Sequence, residues 1–186
     1  MTLKSTIFKA QLQIADVDRG LYADHALTLA RHPSETDERM MVRLLAFALH
    51  VPADDRRGRL ETARGLSDTD EPDLWQHDLS GALVHWIEVG QPDGRRLLKA
   101  AGRAERVTVI AYGPAVALWW APLEARVARA ANLEVWQLPN DESRALSRLA
   151  QRSMTLQVNA HDGVVWVGDG GRAVSLSPRR LKEATR

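Results

Sequence analysis

Ala82-Leu-Val-His-Trp-Ile-Glu-Val-Gly-Gln-Pro-Asp-Gly94 decides the reading of this chain. Residues 82–89 form a dense β-branched and aromatic run, the composition of a central strand covered on both faces. Gly90, Pro92 and Gly94 end it. Downstream, the pattern predicts a helix at 94–104, a strand at 107–112, helical segments within 114–131 and a strand at 133–138. Two successive strand–helix–strand crossovers are the mark of neighbouring parallel strands. Pro122 is expected to split or kink the second helical region, because proline lacks the amide hydrogen a helix interior needs.

Upstream of the central run lies an acidic loop from Asp68 to Asp73, preceded by a strand expected over 59–66. Before that, Met41, Leu44, Leu45 and Ala48 recur at helical spacing and predict a helix over 35–50 with one buried stripe. Pro33 disfavours helix at His32, and Ser34 is the expected first-turn acceptor, with Glu35 and Asp37 favourable at the positive helix end. At the start of the chain, Phe8, Ala10, Leu12 and Ile14 alternate with Lys9, Gln11 and Gln13. This strand over 6–15, a turn at 16–20 and a second strand over 22–31 predict a hairpin.

Past 140 a helix is expected around Asp141, followed by a meander over 153–160, 164–168 and 172–177 that turns at Asp162-Gly163 and at 168–171. The last, charged residues are expected to fray. No repeat or linker divides the sequence, so residues 1–186 read as one α+β domain. The expected architecture is a mixed sheet flanked by helices with an N-terminal hairpin and a C-terminal meander.

The composition is that of an ordinary globular protein, 45% apolar and 26% charged. Absence of cysteine excludes disulfides, thiolate metal sites and cysteine nucleophiles. A formal charge of +1 supplies no global attraction for a polyanion. No apolar run approaches a membrane span and no signal pattern opens the sequence, so a cytoplasmic, monomeric protein without membrane contact is expected.

The order of a helix with Glu38, an antiparallel group, an acidic loop ending in Pro72-Asp73, a strand with Glu88 and a helix with Lys99 resembles the PD-(D/E)XK, or restriction-endonuclease-like, core. More specifically, Leu29-Ala-Arg-His-Pro-Ser-Glu-Thr36, Glu38-Arg-Met-Met41 and Trp86-Ile-Glu-Val-Gly90 with Pro92-Asp93 resemble the YaeQ family. Asn132-Leu-Glu-Val-Trp136 and Met154-Thr-Leu-Gln157 extend that likeness over nearly the whole chain. The family resemblance implies no settled biochemical role. The nuclease comparison implies Asp73 and Glu88 as ligands of Mg²⁺, with Glu38 contributing from the helix. A hard cation with oxygen ligands would there activate water and neutralise phosphate.

Where the motif wants lysine, two residues after Glu88, stands Gly90. Lys99 is the candidate replacement; Arg39, Arg95 and Arg96 are further cations, but guanidinium is a poor proton acceptor. Each site residue also has a structural reading. Glu88 pairs with an arginine such as Arg39, Asp73 starts a turn, and Glu38 lies on a solvated helix face. His77, Asp78 and His85 match no zinc spacing, and the six tryptophans, Trp119-Trp120 among them, read as core. Two functions follow: a divergent Mg²⁺-dependent nuclease or phosphodiesterase, or a non-catalytic module that binds protein or nucleic acid on the same scaffold.

Overall fold

The computed structural model describes residues 3–185. The alternating N-terminal segment forms β1 (Thr6–Asp16), paired antiparallel along its full length with β2 (Leu21–Arg31). Its even-numbered apolar side chains face inward, as the period of two requires. The turn closes on the Asp16 carboxylate, which accepts from the Arg19 amide, and on Gly20 at φ +64°.

Helix α1 (Asp37–His50) starts two residues later than the sequence suggests. Thr36, not Ser34, caps it, its hydroxyl accepting from the Arg39 amide. Ser34 instead sits against His32 Nδ1, and Glu35 turns inward to pair with Arg43, which leaves Thr36 as the last free acceptor before the first turn. The expectation of a single buried stripe also falls short: nine consecutive residues, Met40 to Ala48, are buried. Such a helix belongs to a core rather than to a surface.

Two sheets enclose it. The C-terminal meander β8 (Ser153–His161), β9 (Val164–Gly168) and β10 (Ala173–Leu176) does not stand apart from the hairpin. Because β8 pairs parallel to β1, both join into one five-stranded sheet in the order β10-β9-β8-β1-β2. The second sheet holds β3 (Leu60–Thr62), β4 (Leu74–His77), β5 (Leu83–Val89), β6 (Arg106–Ala111), β7 (Leu133–Gln137) and β11 (Arg179–Lys182). Its order is β11-β7-β6-β5-β4-β3, with β5, β6 and β7 parallel. The outcome is a mixed α+β architecture of two mixed sheets flanked by helices. Among the described residues no helix is long and apolar enough to cross a membrane.

The first core fills the space around α1 between the sheets. A second lies on the far face of the parallel strands, where Trp86, Val107 and Val109 meet α2 (Gly94–Arg103) and α3 (Val116–Val127). Pro122 neither splits nor ends α3. Leu118, whose carbonyl would have been its helical partner, is on the solvent side, where water can replace the missing bond. The strand expected over 59–66 shortens to β3, with a 3-10 turn at Gly65–Ser67, and β4 is a strand the sequence reading missed. Within the charged tail, expected to fray, residues 179–182 form β11, where Arg180 lies 4.5 Å from the Trp136 ring and Lys182 donates to the Ala130 and Leu133 carbonyls; Arg186 lies outside the described residues. Helix α4 (Asn140–Ser147) packs along α1.

Arg19 ties the hairpin to the end of α1, donating to the carbonyls of Ala48 and Val51 while its Nε meets Asp16. These carbonyls have no partner within the helix. Arg19→Ala is expected to lower stability by about 1–3 kcal/mol, read as a lower urea midpoint at unchanged slope. Arg19→Lys should recover little, since one ammonium does not reproduce the planar fork.

Candidate functional site

The carboxyl ends of parallel strands are where open α/β sheets receive ligands. Here a cleft of about 660 Å³ opens at the ends of β5 and β6, walled by the start of α1 and by the loop that follows β3. Glu38, Asp73 and Glu88 line it together with Arg39, Arg96, Gln91 and Tyr112.

Asp73 immediately precedes β4 and lies opposite Glu88, since Leu74 pairs with Ile87 and the Asp73 amide donates to the Ile87 carbonyl. Its Oδ2 accepts from the Val89 amide at 2.8 Å, extending the ladder with a side chain. Its Oδ1 accepts from Arg39 at 2.8 Å. The loop passes so close that a Cβ at Gly65 would lie 2.8 Å from Oδ1, and Gly65 has φ +50°, so glycine is required there on two counts.

Glu88 is 3% exposed. Its Oε1 accepts from Arg96 Nε, and the same guanidinium donates to the carbonyls of Thr69 and Glu71, fastening the loop to α2. Among the described residues no donor comes within hydrogen-bond distance of Oε2, and the Trp86 indole, whose Nε1 is likewise buried and unmatched, is the nearby donor that steadies the carboxylate. Burial pushes the Glu88 carboxyl above its ordinary range; the attraction of Arg96 opposes this without cancelling it, and the negative charge of Asp73 adds to the rise.

Behind Asp73 the charges alternate into the core. Arg39 bridges Asp73 to Glu35 at 2.8 and 3.0 Å, and Glu35 receives Arg43 at 2.7 and 2.9 Å. Burial disfavours the Arg39 charge, but Asp73 and Glu35 more than offset that and raise its pKa. The arginine partners are therefore Arg96 for Glu88 and Arg39 for Asp73, not Arg39 for Glu88 as the sequence reading suggested.

The remaining expected residues disperse. Glu38 accepts from Ser143 of α4 at 2.8 Å and so belongs to the opposite wall. Among the described residues no three acidic, histidine or cysteine side chains group as metal ligands. Lys99 does not line the cleft; its side chain is 64% exposed, with the amine 3.4 Å from Asp70. It sits a turn farther along α2 than Arg96, and the nearer residue takes the carboxylate. His77 packs edge-on to Trp75, Asp78 closes the turn before β5, and His85 lies at the opposite ends of the strands, its Nε2 2.8 Å from Thr108. Burial lowers the His85 pKa to about 2 and keeps that imidazole neutral. Tyr112 and Gln91, linked by a bond from the Gln91 amide to the Tyr112 carbonyl, were not foreseen; a residue just past a strand end carries no signal until strand order is known.

Because folding raises the Glu88 pKa, the folded state binds this proton more tightly than the unfolded chain. The associated stability is fully present below the ordinary glutamate pKa and is lost as pH rises through the folded value. Wild type should therefore gain stability relative to Glu88→Gln as pH falls from neutrality toward the ordinary value. Paired urea titrations across that range measure it, and a constant difference would contradict the burial argument.

The YaeQ protein family model matches residues 1–178. The uncharacterized YaeQ proteins of Salmonella typhi and Escherichia coli K12 are 46% and 44% identical over 170 residues, 91% of both chains in each case. The crystal structure of the Xanthomonas axonopodis pv. citri YaeQ protein superposes with a TM-score of 0.89 at 48% identity, covering 96% of this chain and 98% of that one. That of Pseudomonas syringae gives 0.89 at 37% identity, covering 98% of each. With the family model spanning all the elements around the cleft, this chain belongs to the YaeQ family.

Proposed function

We propose that the cleft is the active site of a divalent-cation-dependent phosphodiesterase, with nucleic acid as substrate class, on a variant of the PD-(D/E)XK scaffold. One observation carries this reading: Asp73 and Glu88 lie opposite each other along the strands and both line one open cleft, and among the described residues Glu88 Oε2 has no donor within hydrogen-bond distance. The order α1, β3 to β5, α2, β6 supports it as well, since a helix precedes the antiparallel group whose third strand crosses over into a parallel neighbour.

Charge favours a cation. The cleft lining carries three carboxylates, Glu38, Asp73 and Glu88, against two guanidiniums, Arg39 and Arg96. A phosphodiester would meet a net negative wall, and a bound Mg²⁺ or Mn²⁺ reverses that sign. The donor set fits such an ion in part: the Glu88 and Asp73 carboxylates would hold it, with water completing the preference of Mg²⁺ for oxygen. When bound, the ion would supply polarisation of the phosphate and a water of lowered pKa.

The chain's own residues do the rest. Arg96, on the first turn of α2, stands where a phosphoryl oxygen could be held and developing charge stabilised. A guanidinium is a poor proton acceptor, so Arg96 is not the base for an attacking water. Gly90 and the outward Lys99 leave the site without the motif's lysine.

Incubation with single- and double-stranded DNA, RNA and a bis-aryl phosphodiester, each with Mg²⁺ or Mn²⁺, tests the proposal. Turnover is expected, with Glu88→Gln and Asp73→Asn each reducing it by at least about 100-fold while circular dichroism shows each variant folded at the assay temperature. No turnover on any substrate, joined to no cation binding by calorimetry, would overturn it. The second reading, a module that binds without catalysis, is favoured by the arginine already neutralising each carboxylate. It predicts nucleic-acid binding by fluorescence anisotropy that is indifferent to added cation.

A further inference from the structure

Strand β2 closes one edge of the five-stranded sheet; among the described residues no backbone–backbone bond is made along its outer side, where the Ala30 carbonyl alone is engaged, by the Arg43 side chain. Its orientation follows from its neighbours. On β1 the odd-numbered residues direct their backbone toward β8: Lys9 donates to the Arg152 carbonyl, and the Ile7 carbonyl accepts from the Arg152 side chain. Even-numbered β1 residues therefore bond β2, and their register partners are the odd residues Ala23, His25, Leu27 and Leu29. That leaves Tyr22, Asp24, Ala26, Thr28 and Ala30 with amide and carbonyl pointing outward. The Ala30 carbonyl, reached by Arg43 from α1, agrees with this parity.

Proteins ordinarily protect such an edge with lysine, proline, a bulge or a short strand. β2 has none of these: it runs eleven residues, Leu21 to Arg31, in unbroken register with no lysine and no proline. It is also complementary to itself. Antiparallel pairing about a two-fold axis through Ala26 sets Ala26 against Ala26 of the second copy, Asp24 against Thr28 and Tyr22 against Ala30. The one charged residue among the outward five, Asp24, thus meets a hydroxyl that can donate to it rather than its own copy. On the inner face His25 would meet Leu27 and Ala23 would meet Leu29, covering side chains that are half-buried or buried in the single chain.

We propose that two copies of this chain associate through β2, antiparallel and centred on Ala26, joining their five-stranded sheets into one of ten strands. This replaces the monomer expected from sequence and is independent of the cleft chemistry, because the axis lies in the other sheet.

Sedimentation velocity over a concentration series should give a species of twice the 20.7 kDa chain mass. Ala26→Pro removes an outward amide hydrogen and leaves the bonds to β1 intact, as proline at an edge permits. Thr28→Asp sets like charge against Asp24 without touching the backbone. Each should weaken association at least about ten-fold, whereas Thr28→Ser, which keeps the hydroxyl opposite Asp24, should preserve it, and circular dichroism reports whether each variant is folded. If Ala26→Pro does not fold, Thr28→Asp decides. In hydrogen exchange, the amides of Asp24, Ala26 and Thr28 should gain protection with concentration while those of His25 and Leu27 stay protected throughout. A chain that remains at 20.7 kDa up to its highest soluble concentration, or a dimer that survives both Ala26→Pro and Thr28→Asp, would overturn the proposal.

Discussion

A helix whose middle turns have no solvent face must satisfy the polar groups there from the protein around it. α1 is held that way between two sheets, and it carries two arginines, Arg39 and Arg43, into or next to the core. An isolated buried charge is costly enough that it must find a partner. Glu35 supplies it for both, although it belongs to the connection from β2 and not to the helix. The direction in which the chain leaves the hairpin is therefore fixed by electrostatics as much as by packing.

That constraint reaches the cleft. Arg39 is shared between Glu35 and Asp73, so the carboxylate beside Glu88 is oriented by the same chain of charges that seats α1. Arg96 does the corresponding work from the other side, gathering Glu88 and two loop carbonyls under one guanidinium. Neither acid is positioned by its own strand alone. An arginine's planar array of donors suits this task, because it bridges several acceptors at fixed angles.

Local patterns made much of this legible. Alternation gave the hairpin and the meander, and the apolar run around Trp86 with the spacing after it gave the parallel strands. What escaped depended on contacts remote in sequence. Nothing near Ser153 says that β8 lies beside β1, and nothing near Arg179 says that a basic tail finds an aromatic ring at Trp136. At the site, the placement of Asp73 beside Glu88 at one end of the strands was readable from element order, whereas the partner of each was not. Arg39, Arg95 and Arg96 are equivalent on paper, and only the helix start at Asp93 gives Arg96 the short reach to Glu88.

The parallel pairing of β1 with β8 has a consequence for how the chain is made. Its first strand emerges from the ribosome with the hairpin, but the strand that covers the other side of β1 begins only at Ser153. At synthesis rates of roughly 5–20 residues per second the nascent hairpin waits on the order of ten seconds or more. Throughout that interval both flanks of the two-stranded ribbon are open to other nascent chains.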